Sequence, residues 1–431
     1  MKSAVRTNRI SGLVLTDHMF DVPLDWANPD GKKIAVFARE VVDPARETED
    51  LPWLVYLQGG PGFPSPRPTA KSGWLKRALT EYRVLLLDQR GTGRSTPATF
   101  QTLAWIGSPQ EQADYLINFR ADAIVRDAEE IRKQLTGADS KWSILGQSFG
   151  GFCAVHYLSA AGESLDEVFI AGGLPPLSLT AADVYRATYK RVLDKNRLYY
   201  ERYPEDRELA RRIVTYIRDQ EVLMPSGDRM TPRRFQQLGF SFGGTGGFED
   251  THYLLETAFV KGPDGPHLSY GFLKQMDSEF TFDTNPLFAI LHEAIYCQND
   301  ASNWAAATVM SEYPEFDLSG DGPVLFTGEM IYPWMFDEYA GLKPLKEAAE
   351  ILARYDGWPA LYDIDTLGSN EVRCAAVAYY NDMYVERGFS DDTAGRIRGL
   401  RLWVTSEYEH SGLRRDGEKI LDRLIAMTRD M

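Results

Sequence analysis

A serine lies between two glycines in Gly146-Gln147-Ser148-Phe149-Gly150, and far downstream come Asp382 in Tyr380-Asn381-Asp382-Met383-Tyr384-Val385 and His410 in Glu407-Tyr408-Glu409-His410-Ser411-Gly412. A serine hydroxyl is a weak nucleophile at neutral pH. An imidazole that takes its proton, itself oriented by a carboxylate, lets it attack an acyl carbon and form an ester. The chemistry these three residue types can do together is acyl transfer. The flanks of the serine support that use. Trp142-Ser143-Ile144-Leu145 is apolar enough for a buried strand, and Gly151 to Leu158 can begin a helix. A sharp strand-to-helix turn needs small neighbours and lifts the hydroxyl out of a sheet. It also sets the Phe149 N–H at a helix start, where negative charge is favoured. An ordinary glycine-rich turn would explain the five residues alone, but not the strand and helix around them.

The partners follow from chain order and from elimination. Six histidines are present. His18 precedes the core strands, His156 lies along the helix after the serine, and His252, His267 and His292 fall in the middle of the chain. That leaves His410 as the base. In hydrolases built on a parallel sheet the order is serine, acid, histidine, each of the last two on a loop after a late strand. Asp382 fits that place. Glu407 and Glu409 are too near His410 in sequence for a loop-to-loop approach, and Asp356 and Asp363 are further alternatives. The second half of an oxyanion hole belongs after an early strand, where Leu57-Gln58-Gly59-Gly60-Pro61-Gly62 offers the Gly60 amide beside that of Phe149. A glycine-rich loop can also cradle phosphate, but no G-x-x-x-x-G-K-[ST] occurs.

These loops need strands to carry them. Ile34–Val42 reads as a strand of an N-terminal hairpin, and Trp53–Leu57 and Tyr82–Asp88 are short apolar runs, each ending in a glycine-rich loop. Ala121–Leu135 has apolar residues at helical spacing (Ile124, Ala128, Ile131, Leu135). Glu167–Gly173, Val372–Tyr379 and Leu400–Thr405 are further strands, and the last helix runs from about Gly412 to Met427. Strands alternating with helices predict an α/β class: a mostly parallel central sheet flanked by helices, with ligands at the carboxyl ends of the strands. From about Leu177 to Leu318 the chain instead shows helical periodicity and many aromatic and charged residues, with Arg186–Leu223 a pair of helices. This is a large helical cap insertion. Val324–Thr327 is a candidate return toward the core, with Gly328–Phe336 still lining the cap side. The expected organisation is a core over 1–176, a mainly helical cap over 177–340, and the second part of the core over 341–431.

Composition narrows the function classes. The chain has 431 residues, 44% apolar and 25% charged, as expected of a globular enzyme. Its 47 basic and 62 acidic residues give a net charge of −15, which disfavours nucleic-acid partners. Cys153, Cys297 and Cys374 form neither a metal-ligand spacing nor a disulfide framework, which predicts thiols in a reducing compartment and no metal. The first seven residues lead into no apolar leader, and no apolar run nears 20 residues. The expectation is a cytoplasmic protein without membrane contact.

Three segments carry a resemblance. Gln58-Gly-Gly-Pro-Gly62, Asp88-Gln-Arg-Gly-Thr-Gly-Arg-Ser95 and Gly146-Gln-Ser-Phe-Gly-Gly151 together resemble the prolyl aminopeptidases (proline iminopeptidases), serine peptidases of the α/β-hydrolase fold. The family's first motif usually begins with His, where this chain has Gln58. The Asp382 and His410 loops look like those of the longer, bacterial branch. The resemblance implies the triad Ser148, Asp382 and His410, no cofactor, and release of N-terminal proline from short peptides with a free N-terminus. It also implies that cap glutamates read the cationic amine. The candidates are Glu256, Glu293 and Glu329, each a lone carboxylate among apolar residues. Tyr296, Trp304, Trp334 and Phe336 are candidates to wall the proline ring; packing inside the cap is the competing reading. Asp88 and Arg90 are expected to buttress the site. The rival functions are an esterase, amidase or tripeptidyl peptidase on the same scaffold, or a non-catalytic ligand receptor that kept the fold.

Overall fold

A computed structural model describes residues 6–320 and 322–429; the reading of the extreme N-terminus rests in part on residues outside these. The strands are β1 (Arg6–Ile10), β2 (Leu13–Pro23), β3 (Lys33–Val42), β4 (Trp53–Leu57), β5 (Arg83–Leu87), β6 (Trp142–Gln147), β7 (Leu165–Ala171), β8 (Phe259–Gly262), β9 (Gly265–Leu268), β10 (Arg373–Tyr379) and β11 (Arg401–Thr405). The helices used below are α1 (Ala121–Thr136), α2 (Phe149–Ala161), α3 (Ala181–Arg202), α4 (Asp206–Asp219), α5 (Gly247–Glu256), α6 (Ala305–Met310), α7 (Arg387–Arg396) and α8 (Gly417–Arg429).

Nine strands form one sheet in the order β1-β2-β3-β5-β4-β6-β7-β10-β11. The first three pair antiparallel, and the pairings from β5 through β11 are all parallel. Alternate residues of the parallel strands enter two different cores, as a period of two requires. Val55, Leu57, Ile144, Val168 and Ile170 face α1 and α2, which contribute Ile124, Ala128, Ile131, Phe152 and Val155. Leu54, Tyr56, Leu145, Phe169 and Val377 face the other side, where α8 contributes Ile420, Leu421 and Leu424. Helix α1 is amphipathic in the way its sequence predicts: Arg126, Lys133 and Gln134 are exposed on its outer side.

Between β7 and β10 the chain leaves the sheet for residues 172–372. Helix α3 opens this insertion with a reciprocal cap between Thr180 and Asp183. Helices α4, α5 and α6 follow, with β8 and β9 as a small antiparallel hairpin. The segment Val324–Thr327 does not rejoin the sheet. The Phe326 N–H donates to Asn196 Oδ1 (2.8 Å) and the Thr327 N–H to the Gln236 carbonyl (2.8 Å), both partners within the insertion. Its apolar residues, a candidate return toward the core in sequence, instead pack within the insertion against α3. The helix at 346–353 lies back on the helix at 109–116 at the flank of the sheet. Among the described residues, no helix is long and apolar enough to cross a membrane.

Candidate active site

Five neighbouring strands end at one edge of the sheet, and each delivers one part of the site. The register pairs Leu57 with Gly146, Gln147 with Ala171, Ala171 with Val377, and Tyr379 with Thr405. Thus the Gln58–Gly62 loop, Ser148, the Gly172-Gly173 turn, the Asp382 loop and the His410 loop emerge side by side, about 5 Å apart from strand to strand.

Ser148 is the residue between β6 and α2. Its backbone has φ 54° and ψ −126°, a conformation that side chains other than glycine rarely hold. The Ser148 N–H donates to the Ala171 carbonyl (3.0 Å), which fixes the turn to the next strand. The glycines around it make the turn possible by close approach. A Cβ on Gly150 would overlap the Leu57 carbonyl oxygen, and a Cβ on Gly59 would lie 2.8 Å from Ser148 Cβ. Gly150→Ala therefore forces the start of α2 off the end of β4. The expected cost is about 1–3 kcal/mol or more, read as a lower urea midpoint at unchanged slope, together with lost activity. As the first residue of α2, Phe149 has no intrahelical acceptor for its N–H. Gly60 sits at φ 139° in the facing loop. The Gln89 side chain holds that loop by donating from Nε2 to the Gln58 carbonyl (3.0 Å).

Asp382 and His410 meet on the far side. Asp382 Oδ2 lies 2.6 Å from His410 Nδ1, with the two residues 1% and 7% exposed. Asp382 Oδ1 accepts from the N–H groups of Tyr384 (2.9 Å) and Val385 (3.1 Å), so both oxygens are committed and the carboxylate cannot swing. The Tyr384 ring packs edge-on to the imidazole, centroids 4.9 Å apart. The Gly172-Gly173 turn lies between the pair and the serine. A Cβ on Gly172 would sit 3.3 Å from His410 Nδ1, and one on Gly173 would overlap the Ser148 carbonyl oxygen. With Nδ1 held by Asp382, His410 Nε2 is the nitrogen left for chemistry. Burial alone would depress the imidazolium, but the charge and hydrogen bond of Asp382, then the charge of Glu329, outweigh it and hold the His410 pKa above the ordinary 6.5. The other five histidines are engaged elsewhere or buried without an acid: His18 pairs with Glu40, His252 with Asp206 and His267 with Asp264, His156 bonds the Leu361 carbonyl, and burial pushes His292 down to about 4.

The three glutamates separate by environment. Glu256 is 55% exposed at the end of α5 and pairs with His252 Nε2 (3.4 Å), so its carboxylate is solvated rather than set in a dry pocket. Glu293 is 4% exposed, with its oxygens taken by the N–H groups of Ala305 (3.0 Å) and Ala306 (2.9 Å) at the start of α6. That role is the capping of a helix, and burial pushes its pKa up to about 7 despite those bonds. Glu329 is different. It is half-buried; its backbone bonds the His292 ring, while its carboxylate makes no hydrogen bond or ion pair among the described residues and interacts electrostatically with His410 and Asp382. Burial pushes its pKa up to about 7, with His410 opposing and Asp382 adding. The neighbouring Gly328 fixes its place: a Cβ there would lie 2.6 Å from Val192 on α3 and 3.5 Å from Met383 beside the acid.

The aromatic candidates also divide. Tyr296 packs on Phe152 of α2 (5.9 Å between centroids) and feels the charges of Glu329 and Asp382, so it stands near the site. Phe336 is buried against Trp304 (5.6 Å), near the capped end of α6. Trp334 stacks on Tyr332 (5.8 Å) under the exposed Arg233, on the outer side of the insertion. Asp88 receives the Ser65 and Arg94 N–H groups and the Arg67 guanidinium, while Arg90 is buried with Asp127 (2.5 Å) and three backbone carbonyls. Both are taken up in bracing loops. Sequence reasoning missed Tyr384 and the Gly172-Gly173 turn. Tyr384 stood in the segment already singled out for its acid, and the paired glycines after a strand were a visible signal of close approach.

A family model described as the alpha/beta hydrolase fold matches residues 52–236. A proline iminopeptidase of Aeromonas sobria is 50% identical over 422 residues, 98% of this chain and 98% of that protein. A proline iminopeptidase of Aspergillus aculeatus is 38% identical over 427 residues, 95% of this chain and 93% of that protein. Among solved structures, the proline iminopeptidase of Mycobacterium smegmatis matches with a TM-score of 0.44 and 14% identity, over 95% of this chain and 98% of that one.

Proposed function

Since the chain belongs to the proline iminopeptidase family, we propose that it is a serine aminopeptidase that releases an N-terminal residue, proline preferred, from short peptides through an acyl-enzyme on Ser148. The observation that carries this reading is the convergence of the strained Ser148 turn, the Asp382–His410 pair at 2.6 Å and the unpartnered carboxylate of Glu329. His410 takes the Ser148 proton as the hydroxyl oxygen attacks the first peptide carbonyl. The N–H groups of Gly60 and Phe149 receive the oxyanion. His410 then gives its proton to the leaving amine, the C–N bond breaks, and water repeats the sequence to free the acid and regenerate Ser148. Glu329 pairs with the cationic prolyl nitrogen, where a partly dry setting strengthens a charge-assisted bond. Tyr296 borders the ring. Residues 177–340 act as a cap that admits short N-termini. Three unpaired, buried cysteines suit a reducing compartment, and we place the enzyme in the cytoplasm.

Two rates test this. Prolyl-4-nitroanilide should be hydrolysed, and its N-acetyl form, which lacks the cation, should be turned over at least about 100-fold less well, the size expected when a buried charge loses its partner. Equal rates would mark an amidase or esterase without amine recognition. The pH dependence is also set. Acylation needs neutral His410, whose pKa is raised, and amine binding needs ionised Glu329, with its pKa of about 7. Both requirements fail on acidification. The kcat/KM profile should therefore fall below about pH 7 with a slope approaching two, measurable with a substrate whose amine stays protonated throughout.

A further inference from the structure

Helix α3 belongs to the insertion, yet it reaches both catalytic loops. Arg191 and Lys195 stand one turn apart on it, on one face. Arg191 grips Glu386 with two parallel bonds, Nη2 to Oε1 at 2.8 Å and Nε to Oε2 at 3.0 Å. Lys195 Nζ lies 2.7 Å from Glu409 Oε2. Glu386 follows Asp382 by four residues and caps α7 by accepting the Gly388 N–H. Glu409 is the residue before His410. The two loops leave different strands, β10 and β11, and one helix fastens both. Two more bonds run the same way: the His410 N–H donates to the Gly243 carbonyl (3.1 Å), and the Tyr384 hydroxyl to the Phe240 carbonyl (2.5 Å), both acceptors in the insertion.

The burial of Lys195 and the two-bond geometry at Arg191 set these pairs apart from surface decoration, although Glu409, Arg191 and Glu386 are partly exposed. The Lys195 side chain is only 4% exposed. An ammonium taken out of water is tolerated only with a well-placed partner, and a methionine of similar length would pack there without that cost. A bidentate guanidinium–carboxylate pair fixes direction as well as distance. What such pairs supply is geometry, and the geometry here is that of the acid and the base.

We propose that Arg191 and Lys195 are positioning residues, clipping the Asp382 and His410 loops to α3 so that the catalytic pair is aligned only when the insertion is seated on the sheet. This rests on the assignment of Ser148, Asp382 and His410 in the proposed function. Every charged group near the base has a place in it. His410 faces Asp382 from the acid loop, Glu329 from the insertion, Glu409 on its own loop and Arg414 just beyond it. Glu409 faces Lys195, Asp382 and His410, and Arg191 faces Glu386, Asp194 and Asp382.

The decisive variant is the double substitution Lys195→Met with Glu409→Gln in the full-length enzyme, because it removes the clip without stranding a buried charge. Two rates are read: kcat on a prolyl amide, and phosphonylation of Ser148 by an uncharged fluorophosphonate, which needs an active nucleophile but no bound amine. Both should fall by at least about tenfold, with KM changed less than about twofold, the signature of lost alignment rather than lost binding. Arg191→Gln should give the same split. Glu409→Gln alone removes a negative charge that interacts with His410 and leaves Lys195 uncompensated, so it should move the acid limb of the profile to lower pH, while the double substitution returns it. Folded variants with wild-type phosphonylation rates and an unmoved limb would overturn the proposal. If Ser148→Ala or His410→Ala kept full activity, the triad assignment would fail instead, whatever the clip variants do.

Discussion

Ser148→Ala should lower kcat/KM on a prolyl amide by about 10⁴-fold or more, with the protein folded and its affinity for proline intact. The size follows from what the side chain alone supplies. Without the hydroxyl, His410 has no proton to take and no ester forms; the oxyanion donors and the amine pocket still bind, which accounts for whatever rate is left. The fold should be indifferent to the change. Ser148 is held by its backbone, through the bond to the Ala171 carbonyl and the glycines beside it, and its side chain makes no hydrogen bond to the protein that the turn depends on. Relief of strain is not expected either, since alanine shares the β-carbon that disfavours φ 54°. Kinetics of the purified variant, with a urea midpoint near that of the wild type, checks the prediction. Residual activity within tenfold of the wild type would place the nucleophile elsewhere.

Glu329→Gln should cost the free-amine substrate about 2–4 kcal/mol of transition-state binding, or about 30- to 1,000-fold in kcat/KM, because a cation in a partly dry pocket loses its counter-charge. The N-acetylated substrate, already poor, should change little. The pH profile carries a second signature with a defined sign. The Glu329 carboxylate helps hold the His410 pKa above 6.5. Removing the negative charge disfavours the imidazolium, so the acid limb should move to lower pH. It should also lose one proton of steepness, since only His410 then titrates. Glu256→Gln should leave both substrates within about twofold, as befits a solvated side chain paired on the surface. Equal losses on both substrates after Glu329→Gln would make the residue a part of the wall rather than the reader of the amine.

The core was legible because its signals are local and periodic. Trp53–Leu57 is the strand β4 residue for residue, Ala121–Leu135 matches α1 to within one residue, and the serine turn stands between its strand and its helix. Glycine spacing encodes close approach, and close approach at Gly150 and Gly59 is what builds the turn. Asp382 and His410 were legible as loop residues after late strands. Their meeting depends on β10 and β11 being neighbours, a tertiary fact that chain order only suggests. The insertion was harder to resolve. Glu256, Glu293 and Glu329 look alike in sequence, each a carboxylate among apolar residues. What separates them is long-range: His252 beside the first, the start of α6 over the second, and the charges of Asp382 and His410 acting on the third. Trp334 and Phe336 were singled out for aromatic content, which marks burial in general and no particular pocket; their ring neighbours are Tyr332 and Trp304. Val324–Thr327 misled for the same reason, since a short apolar run reads alike for a strand and for a segment packed under a helix.

The most direct measurement is the identity of the covalent intermediate. Wild-type enzyme mixed with a prolyl ester, quenched in acid within the first turnover and digested, should yield a prolyl adduct on the peptide carrying Ser148, and the adduct should vanish with the N-acetylated ester. Turnover of the ester with no adduct, or with the prolyl group on another side chain, would contradict an acyl-enzyme at Ser148.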